Sequence, residues 1–120
     1  MAQRRMLSLQ IVNSDPFLDL PASAQCLYFH LVLRADDDGF VNSTRMVQRM
    51  IGASDDDLQN LIKAQFILAF DDGVVVIRHW KMHNYIKRDR YRPTQYQEHF
   101  SKLRVKDDDS YTLAGSGLEP

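Results

Sequence analysis

Between residues 23 and 34 the chain reads SAQCLYFHLVLR, apolar on nearly every face apart from His30, with Pro21 and Ser23 as start signals. That pattern predicts a helix buried on most sides. In ADDDGFV, which follows, an Asp-Gly pair closes a turn and Phe40 and Val41 begin a short extended segment. Asn42, Ser43 or Thr44 can then cap a helix in which Met46, Val47, Met50 and Ile51 recur at i, i+1, i+4 and i+5, leaving Arg45, Gln48 and Arg49 on the other side. Gly52 ends that helix, and Ser54 with Asp57 three residues on forms a capping-box pattern for the next one. Leu58, Leu61 and Ile62 give it an inward stripe; Gln59, Asn60 and Lys63 give it an outward face. Two β-rich runs, FILAF and VVVIRHW, are separated by Asp71-Asp72-Gly73, a strong hairpin signal spanning about 66–80.

Two short helices joined by a glycine-bearing turn are the sequence form of a helix-turn-helix. The full order of helix, short strand, helix, helix, strand, turn, strand is that of a winged helix. The expected fold class is therefore α+β, mostly α, with the hairpin as wing and the segment at 40–41 as third strand of a small antiparallel sheet. Trp80 at the end of the wing is expected in the core, and 82–86 as a connection that packs back on the domain. After the charged run at 87–93, Thr94 and Gln97 offer a further capping box, and Tyr96, Phe100 and Leu103 at i, i+4 and i+7 predict an additional C-terminal helix running to about Arg104. The division expected is a winged-helix domain with its helical extension over 1–106. Residues 107–120 form an acidic, flexible linker or truncated tail after at most a short strand at 111–113.

Charge changes this picture. The 120 residues are formally near neutral, at −1, yet 78–106 holds nine of the fifteen Lys and Arg residues against only Asp89 and Glu98. Interleaved with the cations are Trp80, Tyr85, Tyr91, Tyr96 and Phe100, a mixture suited to a polyanion with flat bases. A solvated cationic face beside core aromatics is the plainer alternative. Arg4 and Arg5 are either a short basic arm or a frayed terminus. The single cysteine, Cys26, lies in apolar sequence, excludes an internal disulfide and is expected as a buried thiol in a reducing compartment. No apolar run approaches the roughly 18 residues of a membrane span, and the first residues lack the apolar centre of a signal peptide. A cytoplasmic protein without membrane contact is expected.

Catalytic and metal-bound chemistries find little support. Three Asp-Asp-Asp runs begin at 36, 55 and 107, but adjacent carboxylates point in different directions and none has the alternating ligand spacing of a calcium loop. His79 and His83 stand four apart without a convincing third zinc ligand. Neither a nucleophile elbow, nor a phosphate-binding loop, nor a dinucleotide fingerprint is present. The expectation is no enzyme, no cofactor and no metal.

DNA binding draws on two separate signals, the helix-turn-helix order and the basic stretch after the wing. In the usual docking Gln59, Asn60 and Lys63 lie near base edges. The carboxylates at 55–57 would then approach phosphates. Either that helix docks by its central and C-terminal parts, or contact shifts to Arg45 and Arg49, to Arg78 and Lys81 at the end of the wing, and to Lys87, Arg88, Arg90 and Arg92; the second is the arrangement favoured.

The segments LPASAQCLYFHLVLRADDDGFV, MVQRMIGASDDDLQNLI and VVVIRHWKMHNYIKRDRYRPTQYQE resemble the N-terminal part of replisome-organiser, or replication-initiation, proteins of phages and prophages of Gram-positive bacteria, the DnaD-like type included. The likeness covers about 1–113. It implies a winged-helix domain bound to double-stranded DNA of the phage origin in the host cytoplasm, and related DnaD-like domains also self-associate; single-stranded DNA is a further partner the basic, aromatic segment could take. A helicase or its loader would be engaged only through a region beyond Pro120, where such proteins typically continue. The family transfers no residue role to this sequence. Two other readings stay open: a winged helix serving as an interaction or oligomerisation scaffold, and a phage transcriptional regulator.

Overall fold

The computed structural model describes residues 4–113, a small α+β structure with seven helices and two antiparallel sheets among those residues. Two one-turn helices come first, α1 (Leu9–Val12) and α2 (Asp15–Leu18), then the long α3 (Ala22–Arg34) and β1 (Phe40–Val41). They are followed by α4 (Thr44–Ile51), α5 (Asp55–Lys63), β2 (Ile67–Ala69) and β3 (Val75–Ile77). The chain closes with α6 (Trp80–His83), α7 (Gln97–Ser101), β4 (Leu103–Val105) and β5 (Tyr111–Leu113). No helix among the described residues is long and apolar enough to cross a membrane.

The expected core elements form for the expected reasons. Helix α3 buries Ala24, Leu27, Tyr28, Leu31 and Val32 and packs on both α4 and α5. Ser54 caps α5 through the full box: the Asp57 amide donates to Ser54 Oγ at 3.2 Å, and the Ser54 amide to Asp57 Oδ2 at 2.9 Å. The Ser23 hydroxyl also donates to Asp57 Oδ1 at 2.7 Å, tying α3 to the start of α5. Asp71-Asp72-Gly73 turns the hairpin, with Leu68 opposite Val76 and Ala69 opposite Val75. Phe40 opposes Val76 on the other side of β3, so the sheet order is β1-β3-β2.

Several expectations are corrected. On α4 the buried positions are Thr44, Val47 and Gln48, while Met46 and Met50 are more than half exposed. The helix is rotated so that the i, i+3, i+4 row faces inward, and Gln48 is accepted there because its amide donates to Asp55 Oδ1 at 3.0 Å. Cys26 is exposed, as are Phe29 and Leu33 on the same side of α3, so that helix is not enclosed on most sides. The second strand of the hairpin stops at Ile77, and Trp80, buried as expected, begins the short α6.

The C-terminal helix is only five residues long. Leu103 and Arg104, expected in it, lie in β4, which pairs with β5 in a second hairpin. The β-branched Val105 and Thr112 favour this pairing. The short strand allowed at 111–113 is present as β5, with Tyr111 fully buried; 107–110 form the turn of this hairpin rather than a linker, and 114–120 lie outside the described residues. Helices α1 and α2 were not foreseen, although Ser14-Asp15-Pro16 is a start signal with proline in the first turn. Phe17 from α2 fills the space between Tyr28 and Phe66, with ring centroids 5.3 Å from each.

Candidate nucleic-acid interface

The loop at 35–39, between α3 and β1, organises the charged part of the molecule. Asp36 Oδ1 accepts the amides of Asp38 and Phe40, each at 3.0 Å, and its Oδ2 accepts the Thr94 hydroxyl. Asp37 Oδ1 pairs with the Arg5 guanidinium at 3.1 Å, and Oδ2 accepts the Arg92 amide at 2.9 Å. Asp38 is buried and takes the Tyr91 hydroxyl on both oxygens, at 2.9 and 2.8 Å, and the Thr94 amide at 2.8 Å. All six carboxylate oxygens of this run thus hold a donor. Desolvation first, and the Asp38 carboxylate second, push the Tyr91 phenol up to about 12, so it remains a proton donor.

Backbone atoms of the same loop hold three more elements. The Asp37 carbonyl accepts the Trp80 indole N–H at 2.8 Å, the Asp38 carbonyl accepts the Tyr111 hydroxyl at 2.9 Å, and the Ala35 carbonyl accepts Arg5 at 2.7 Å. Arg5 also lies over the Trp80 ring, 5.1 Å from its centroid. It is neither a free basic arm nor a frayed residue, because its charge is matched by Asp37 and its stem is covered.

The consequence falls on the basic segment. Residues 91–94 are fastened to the acidic loop by backbone amides, a phenol and a threonine hydroxyl, none of which consumes a guanidinium or ammonium group. Lys87, Arg88, Arg90 and Arg92 are exposed and form no ion pair among the described residues. A turn closed by the Arg90 amide on the Lys87 carbonyl at 2.9 Å groups them. Lys87, Arg90 and Arg92 line one side of a cleft of about 1450 Å³; Arg4 and Arg34 line it as well.

The other sequence-derived residues are dispersed. Arg45 and Arg49 are exposed on α4 and share a separate cleft of about 400 Å³ with Ser54 and Asp55. Gln59 and Lys63 are exposed on α5 and Asn60 is half-buried. Arg78 is structural: its guanidinium donates to the Gln65 carbonyl at 3.3 Å and its own carbonyl accepts the Tyr111 amide at 2.8 Å. Lys81 is exposed on α6. The carboxylates that open α5 are partly accounted for: hydrogen bonds from Ser23 and from the Ser54 amide lower the Asp57 pKa, and Asp55 accepts Gln48.

His83 is committed to the interior. Its Nδ1 accepts the Ser8 amide at 2.8 Å, which puts the proton on Nε2, 2.6 Å from the Tyr28 hydroxyl. Burial pulls both His79 and His83 down to about 4, and Arg78 adds to the effect at His79. No group of three or more metal-ligating side chains is assembled among the described residues.

Sequence reasoning missed the acidic loop as the anchor of the basic segment. The only signal was a matched pair of runs, three aspartates at 36–38 and a Tyr-Arg-Pro-Thr string at 91–94, separated by more than fifty residues. Comparison of the chain with protein-family models, with curated proteins and with solved structures gives no match.

Proposed function

We propose that this chain is a non-enzymatic winged-helix DNA-binding module that serves phage or prophage replication initiation in the bacterial cytoplasm. The observation that carries the reading is the cluster of unpaired Lys87, Arg88, Arg90 and Arg92 on a segment pinned by residues 36–38. Anchoring of the neighbouring backbone reduces the entropy lost when these cations meet phosphates, whereas cations already paired with carboxylates would have to break those pairs. The element order α3, β1, α4, α5, β2, β3 with sheet order β1-β3-β2 supports the winged-helix assignment. The choice of replication over transcription rests on the resemblance read in the segments 20–41, 46–62 and 74–98 of the sequence.

Phosphate contact falls mainly on 87–92, because Asp55 shares the cleft of Arg45 and Arg49 and would oppose an approaching phosphate. A salt titration of duplex binding tests this. Reversing Lys87, Arg88 and Arg90 to Glu should reduce the slope of log K against log salt by about 2 to 3, near 0.9 per lost phosphate contact. Gln59→Ala with Asn60→Ala should leave that slope unchanged. The reverse ranking sinks the assignment of contact to 87–92.

A second reading, an interaction scaffold, draws on exposed apolar side chains, Phe29 and Leu33 on α3 and Met46 and Met50 on α4. It predicts a concentration-dependent mass in sedimentation and no duplex binding even at low salt.

A further inference from the structure

We infer that the cleft between the N-terminal segment and residues 84–96 takes single-stranded DNA, its phosphates on Lys87, Arg90, Arg92 and Arg4 and a base stacked on Tyr85. The inference rests on the proposed DNA-binding function and assigns part of it to the cleft.

The cleft, about 1450 Å³, is lined by Arg4 to Met6, the end of α3, the residues leading into α4 and the segment 84–96. It exceeds the roughly 300–1,000 Å³ of small-ligand pockets. Its lining has six cations, Arg4, Arg5, Arg34, Lys87, Arg90 and Arg92, against Asp36, Asp37 and Asp89. Asp36 and Asp37 already hold a donor on every carboxylate oxygen, and Arg5 is matched by Asp37. With the Arg5–Asp37 pair cancelled, the remaining field is that of five cations against two carboxylates, Asp36 and Asp89, of which Asp36 is turned toward neutral donors. An anion is the ligand it favours, and an extended one is needed to span the length of the lining.

Tyr85 selects among polyanions. It is 80% exposed, by far the most exposed aromatic of the described residues, and burying it inside the fold is evidently not its role. The residue before it is nevertheless anchored. The neighbouring Asn84 is buried, accepts the Met6 amide at 2.8 Å and donates to the Met6 carbonyl at 3.2 Å. An unpartnered ring next to an anchored residue, in a cleft lined by cations, is the arrangement on which unpaired bases stack while the backbone follows the charges. Duplex DNA buries its base faces and is about 20 Å wide, so it can meet the rim of such a cleft through Lys87, Arg88 and Arg90 but offers Tyr85 no free face.

The test compares binding of a labelled oligothymidine, a duplex of the same length and an abasic deoxyribose-phosphate oligomer by fluorescence anisotropy at low salt. Tyr85→Ala should weaken oligothymidine binding about tenfold, the effect of losing one base–aromatic stack, and leave the duplex and the abasic oligomer unchanged. Tyr85→Phe should restore the oligothymidine affinity. Tyr85→Trp should show fluorescence quenching with oligothymidine and none with the abasic oligomer, against a buried Trp80 background. Because the side chain is exposed, none of these variants threatens folding.

Unchanged oligothymidine binding in Tyr85→Ala, with duplex binding intact, overturns this inference and leaves the proposed function standing. Equal losses for oligothymidine and the abasic oligomer also overturn it, since the ring would then act without a base. Failure of the wild-type protein to bind either strand form at low salt overturns both readings together.

Discussion

Gly39 shows how much one residue can decide. Its φ is +93°, in the left-handed region, and a Cβ there would lie 2.7 Å from Trp80 Cγ. The absence of a side chain lets the indole pass beneath the 35–39 loop and donate to the Asp37 carbonyl. Gly73 in the β2–β3 turn has a similar φ, +88°, but nothing lies within 4 Å of its absent Cβ. Gly73→Ala should therefore cost only backbone strain, about 1 kcal/mol. Gly39→Ala adds a collision with a buried ring and should cost about 3 kcal/mol or more. Urea denaturation of both variants measures the difference, and equal losses would remove Trp80 from the explanation. Asp-Gly in each place reads as a turn in the sequence; the unequal consequences come from what packs against the turn.

At the scale of elements, the segment 84–96 has almost no regular structure of its own, and its position depends on hydrogen bonds to the loop before β1. Asp38 is the central acceptor, holding Tyr91 and Thr94. Asp38→Ala leaves the Thr94 amide without its acceptor and frees the Tyr91 phenol; the expected loss of stability is about 2 kcal/mol. Hydrogen exchange should quicken in 87–95 well before it does in α3, because the core face of α3 is untouched. Uniform acceleration through the whole chain would mean that the loop is not a separate anchor. The elements of the central domain were legible in the sequence: the α5 capping box, the glycine end of α4 and the Asp-Asp-Gly hairpin are local signals, each contained within a few residues. Helix α7 was not. The stripe Tyr96, Phe100, Leu103 fits a helix, and Tyr96 and Phe100 do pack on Phe40, with ring centroids 5.9 and 6.1 Å away. The chain nevertheless leaves the helix after Ser101, where strand pairing with β5 places Tyr111 in the core.

Across the whole molecule, His83 links three distant pieces of chain: Ser8 before α1, Tyr28 on α3, and α6, to which it belongs. Burial holds its pKa at about 4 in the folded state, below the ordinary value of about 6.5, and His79 behaves in the same way. The unfolded chain therefore binds protons that the folded chain refuses. Stability is fully present above about 6.5 and falls as the pH drops toward 4, by up to about 1.4 kcal/mol per pH unit for each histidine. Urea midpoints between pH 7 and 4.5 should show this decline, and His83→Gln, destabilised at pH 7, should decline less steeply. A variant that keeps the full slope would assign the pH dependence elsewhere.

By itself the sequence determined the central succession of helices and strands, the turns between them and the concentration of positive charge in 78–106, because periodicity, capping and composition act over short stretches. The tertiary structure decided which cations are available. Arg5 and Arg78 became structural, Arg45 and Arg49 came to share a cleft with Asp55, and Lys87, Arg88, Arg90 and Arg92 were left unpaired. It also turned the aspartates at 36–38 from a simple turn into the clamp that holds the basic segment in place. Electrostatic partners are chosen by distance in space, and the distance from Asp38 to Tyr91 is set only when the whole chain has folded.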